Sequence, residues 1–104
     1  MFHKLVRQDL SYFYILINMP LEKDIMKVFL RKLINLNIWG GRHTELVNLK
    51  KALPKHARGS KETHGAIKEL LSRGFINIKM STSEYHVSLN SHMQKEIYDF
   101  LKSG

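Results

Sequence analysis

The chain contains no cysteine. A disulfide framework and a thiolate metal site are therefore excluded, and a reducing compartment fits. Proline is scarce, with only Pro20 and Pro54 to break regular elements. Acidic side chains are few: nine Asp and Glu stand against 17 Lys and Arg in 104 residues. No internal repeat, low-complexity tract or flexible linker interrupts the chain. No apolar run is long enough for a membrane helix. The longest, LSYFYILINMPL, has about a dozen residues where a span needs roughly 20. Asp9 abuts it, aromatics dominate it, and no small-residue cleavage site follows, so it does not read as a signal peptide. The expectation is one soluble, cytoplasmic domain over residues 1–104 with no membrane partner.

What is present is positive charge, +8 in all, and it is unevenly placed. Residues 42–79 hold nine Lys and Arg against three acidic residues, whereas residues 80–104 hold two against three. An excess of this size favours anionic partners, nucleic acid first and an anionic membrane surface second. A merely solvated basic surface is the plainer alternative.

Hydrophobic spacing gives the elements. The segment 22–37 carries Ile25, Val28, Phe29, Leu33 and Leu36 at helical intervals, with Glu22 and Asp24 in its first turn. Lys23, Lys27 and Arg31 fall on its wet side. Ile38 and Trp39 form a very short extended piece before Gly40 and Gly41. Thr44 is placed as the N-cap of a helix over 45–53, with Leu46, Leu49 and Leu53 inward. PKHARG reads as a turn. Ser60 caps the next helix, which runs to about Arg73 with Ala66, Ile67, Leu70 and Leu71 inward. Gly74 stands where a left-handed C′ glycine is expected. The period then changes to two: FINIKM and YHVSL alternate around the polar STSE, which predicts a β-hairpin. Met93, Ile97, Phe100 and Leu101 make the stripe of a last helix over 91–102, capped by Asn90 or Ser91. SYFYILI at 11–17 suits a buried strand, and a helix is equally compatible with its pattern.

From residue 22 the order is helix, short extended piece, helix, turn, helix, hairpin. The stretch IKELLSRGFINIK followed by YHVSLN resembles the passage from recognition helix to wing in the winged helix-turn-helix superfamily. HTELVNLKKALPKHARG and HVSLN are also similar to small archaeal winged-helix proteins. The resemblance implies an α+β, mainly α fold: a core over 22–90 with a β-hairpin wing, an N-terminal apolar extension over 5–20 and a C-terminal helix over 91–102. It implies a double-stranded DNA partner and a role in transcription regulation. RNA or an acidic protein remain alternative partners, since one fold serves several roles.

In that family the third helix enters the major groove. Here Lys61, His64, Gly65 and Lys68 lie opposite the inward residues, and Lys61, His64 and Lys68 form one stripe at i, i+3 and i+7. With Ser60 at the helix start they are the candidate contacts. Gly65 has two readings of equal weight: close approach of a phosphate, or relief of a crowded helix–helix contact. Lys50, Lys51, Lys55, His56 and Arg58 flank the groove and suit phosphates. Lys79 is the wing's cation, but the wing has no Arg and Glu84 sits at its tip, so weak wing readout is expected. Beside phosphate His56 and His64 favour their charged form, so binding should tighten as pH falls from about 7.5 to about 6.

Neither catalysis nor a cofactor is expected. The six histidines show no helical i, i+4 pair, which argues against a metal. No P-loop, dinucleotide or nucleophile-elbow motif occurs, and the carboxylates are not paired. Two apolar groups suit a homodimer: Tyr12, Phe13 and Tyr14 in the N-terminal run, and Ile97, Phe100 and Leu101 in the last helix. Completion of the monomer's own core is the alternative.

Overall fold

Glu22–Asn35 forms α1, opened by Glu22 and Asp24 against the positive end of the helix dipole. Its inner face, Ile25, Met26, Phe29, Leu30 and Leu33, is the centre of the core. The helix ends at Asn37, whose φ of 57° takes the left-handed conformation that Asn tolerates. Ile38 N–H donates to Leu33 O and Asn37 N–H to Ile34 O, both at 2.9 Å, which satisfies the last carbonyls as a Schellman motif. The computed structural model describes residues 21–103. Tyr12, Phe13, Tyr14 and the 11–17 segment lie outside that range.

Among the described residues the chain is a mainly helical α+β domain of four α-helices and one antiparallel three-stranded sheet. After α1 come β1 (Thr44–Glu45), α2 (Leu46–Lys50), a 3-10 turn at Lys55–Ala57 and α3 (Lys61–Ser72). The hairpin follows as β2 (Ile76–Ser81) and β3 (Glu84–Leu89), then a 3-10 turn at Ser91–Met93 and α4 (Gln94–Lys102). The sheet order is β1-β3-β2. Ile76 pairs with Leu89 and Ile78 with Val87, so this end of the hairpin turns its apolar row to the core, while the last pair of the row, Met80 with Tyr85, is exposed. Trp39 bridges to Leu89, and Leu89 N–H donates to Ile38 O at 2.9 Å, so the expected extended piece at 38–39 lies along the end of β3. Gly74 has a φ of 75° at the C′ position of α3, and Phe75 N–H donates to Leu70 O at 3.0 Å. Asn90 ties this junction down: its amide donates to Gly74 O at 2.8 Å and its Oδ1 accepts from His92 N–H at 3.0 Å.

Several expectations are corrected. Thr44 is not an N-cap: it pairs with Val87, and Glu45 with His86, as a third strand. The helix expected over 45–53 shrinks to Leu46–Lys50, because β3 takes its first residues and a series of i→i+3 turns runs through Leu53 to Pro54. Leu36 and Leu71 are exposed at 45% and 40% instead of facing inward. Lys27, expected to be wet, is buried, and its Nζ donates to Ser103 O at the end of α4. Arg31 reaches Leu101 O at 3.5 Å in the same place, so two cations meet the negative end of α4.

The last helix is also reassigned. Ile97 is fully buried in the core, with Phe100 and Leu101 packed against it. The Phe100 ring meets Phe75 edge-on at 5.8 Å and lies 5.0 Å from the Arg73 guanidinium. Ile97 is thus closed off inside the monomer, while Phe100 and Leu101 keep part of their surface exposed.

Candidate nucleic-acid interface

The face opposite the core of α3 is built from its cap outward. Ser60 Oγ accepts from Thr63 N–H at 3.1 Å and donates to Thr63 Oγ1 at 3.1 Å; Thr63 Oγ1 donates to Ala57 O at 2.6 Å. This chain of three bonds fastens the helix start to the preceding 3-10 turn. It also engages the Ser60 hydroxyl in the cap. Thr63, Ala66, Ile67 and Leu70 are buried on the inner face. Lys61, His64 and Lys68 are exposed on the outer one. None of the three forms a salt bridge among the described residues. Among those residues, Lys61 and Lys68 therefore carry charge with no ion-pair partner, unlike Arg73, which pairs with Glu69 at 2.9 Å.

The basic turn leads directly into this helix. Lys55 and His56 are exposed on it. Arg58 is half-buried, and its Nε donates to Leu53 O at 3.0 Å, which fixes the root of the guanidinium and leaves its outer N–H groups for a ligand. Lys79 is exposed on β2, in register with His86. Lys50 is half-buried at the end of α2.

Two expected members are not placed with these. Gly65 faces α1, where the Glu22 carboxylate occupies the space a side chain would need. The three atoms nearest to where its Cβ would lie all belong to the exposed Glu22 side chain, and a carboxylate at that point would repel phosphate. Lys51 lies in a groove with Lys32 and Leu36, whose lining includes no residue of α3. That groove went unseen in the sequence because α1 and the β1–α2 segment supply its walls. The one signal for it, an uninterrupted apolar stripe reaching Leu36, points to core burial instead. Among the described residues, no three His, Asp or Glu side chains gather in a geometry for a metal. No described helix is long and apolar enough to cross a membrane.

The chain matches no protein-family model, no curated protein and no solved structure.

Proposed function

We propose that this domain is a winged helix-turn-helix that binds duplex DNA as a transcription regulator, with α3 as its recognition helix. The observation that carries the reading is the exposed, unpaired stripe of Lys61, His64 and Lys68 on a capped helix. The basic turn precedes it and a β-hairpin follows it. The succession helix, strand, helix, helix, hairpin supports the same reading. Lys61, His64 and Lys68 donate to phosphate oxygens or guanine acceptors, and Lys55, His56 and Arg58 hold the flanking backbone. The stripe has no Arg or Asn to grip a base edge through two hydrogen bonds. Affinity then comes mainly from phosphates and selectivity is modest.

Fluorescence anisotropy with random duplex DNA, single-stranded DNA and RNA across a salt series tests this. Three to five phosphate contacts predict a log–log slope of about −3 to −4.5 with duplex DNA. Equal or tighter binding to RNA, or no binding at low salt, rejects the reading.

A further inference from the structure

We propose that the groove between α1 and α2 docks an acidic amphipathic helix of a partner protein. The groove holds about 320 Å³ and is lined by Lys32, Leu36, Thr44, Asn48, Leu49 and Lys51. Its floor is Leu49, fully inside the core. Leu36 forms its rim and is 45% exposed. Val47, one helical turn before Lys51, leaves further apolar surface at 51% exposure. No carboxylate lines the groove, and neither Lys32 nor Lys51 forms a salt bridge among the described residues.

These features select the occupant. The two lysines ask for negative charge, and Leu36 and Val47 ask for an apolar cover. A phosphate backbone would meet the lysines and leave the leucine and valine wet. A helix with apolar anchors at i, i+3 and i+7 and carboxylates between them meets both. The hollow is at the small end of ligand pockets, while the apolar surface runs on beyond it across two helices, which suits an extended partner. A larger hollow of about 500 Å³ near Phe100 makes no such choice, because Glu22 and Glu69 line it together with Lys23 and Arg73. Since no residue of α3 lines the α1–α2 groove, occupancy there leaves Lys61, His64 and Lys68 free. The domain would then join an acidic partner to DNA.

The test is a nitrogen-15 NMR titration of the full chain. The probe is a synthetic helical peptide with leucines at i, i+3 and i+7 and glutamates between. Expected shifts centre on Leu36, Val47, Asn48 and Lys51. Leu36→Glu and Lys51→Glu should each weaken the peptide by about tenfold or more. Lys51 is exposed, so its variant keeps the test decisive if Leu36→Glu fails to fold. Four results overturn the proposal. Two are the absence of shifts and shifts centred on Lys61, His64 and Lys68. A third is equal affinity for a peptide with serines in place of its leucines. The last is occupation of the groove in the free protein, either by a second copy (dilution-dependent shifts) or by residues 5–20 (contacts to Leu36). Loss of DNA binding by the parent chain would reject the regulator reading alone.

Discussion

The Glu22 carboxylate stands where a side chain on residue 65 would have to go: a Cβ built on Gly65 would lie 2.0 Å from Glu22 Oε2. The glycine thus leaves room for the Glu22 side chain over the middle of α3. The obstacle is the far end of one flexible side chain, and Glu22 is itself exposed. Gly65→Ala should therefore displace only that carboxylate. It should gain about 1 kcal/mol of helix propensity, raising Tm by roughly 4–8 °C in a domain of this size. DNA affinity should not change. A lower Tm would mean that Glu22 is held in place, and weaker DNA binding would restore the phosphate reading of Gly65. Gly65→Leu, too large for a swung carboxylate to admit, should lower Tm.

Ser60 gives a second separation of structure from contact. Its hydroxyl accepts from Thr63 N–H and donates to Thr63 Oγ1. Ser60→Ala should cost about 1 kcal/mol of stability. DNA affinity measured well below Tm should stay within about twofold, an energy difference of less than half a kcal/mol. A tenfold loss of affinity at unchanged Tm would make Ser60 a direct ligand.

How far the fold was legible follows from the range of each interaction. The Ser60 cap, the Gly74 terminus and the alternation across the hairpin are local, and each lies where the residue pattern puts it. Thr44 and Glu45 look like the opening of a helix because their partners, Val87 and His86, are distant in sequence. Leu36 and Leu71 continue their apolar stripes past the point where the core ends. Lys27 sits on a row that is wet in an isolated helix, until the end of α4 covers it. The outer stripe of α3 was readable from helical spacing alone. The α1–α2 groove was not, because Lys32 and Leu36 meet Thr44 and Asn48 only through the packing of α1 on β1 and α2.

Lys27 predicts a stability profile. Burial first, then the charges of Lys23 and Arg31, push its pKa below the ordinary 10.5, with Asp24 opposing. The folded state therefore binds fewer protons than the unfolded state between the lowered value and 10.5. Stability rises with pH across that window. The parent should gain stability relative to Lys27→Met as pH rises through it, measured by denaturant unfolding at successive pH values. A constant difference between the two proteins would mean that Nζ, despite its burial, is as well accommodated when charged as in water.

The β2–β3 hairpin turns at Thr82, whose φ of 59° is uncommon for a β-branched residue. Left-handed backbone costs a non-glycine residue about 1–2 kcal/mol, and glycine returns part of that through its freer unfolded chain. Thr82→Gly should be net stabilising by roughly 1 kcal/mol. Because Thr82 and Ser83 are exposed in the turn that joins Ser81 to Glu84, the change should leave the core spectrum untouched. If DNA affinity falls while stability rises, the hairpin's threonine is a contact in its own right.

Lys61 and Lys68 carry the sharpest test of the α3 face. Both are exposed and unpaired among the described residues, so alanine at either removes no folded-state ion pair. Tm should stay close to that of the parent. If each lysine neutralises one phosphate, the double variant should flatten the salt slope by about 2. It should weaken all duplex sequences alike, since phosphate contacts carry no base information. Lys95→Ala is the matched control. It removes one charge from α4, as each single variant does from α3, and Lys95 is already paired to Asp99 at 2.7 Å. It should leave both the slope and the affinity almost unchanged. Equal losses from Lys61→Ala, Lys68→Ala and Lys95→Ala would mean that binding senses only the net charge of the chain and that α3 has no privileged place. A loss confined to Lys61 and Lys68 would locate the phosphates along α3.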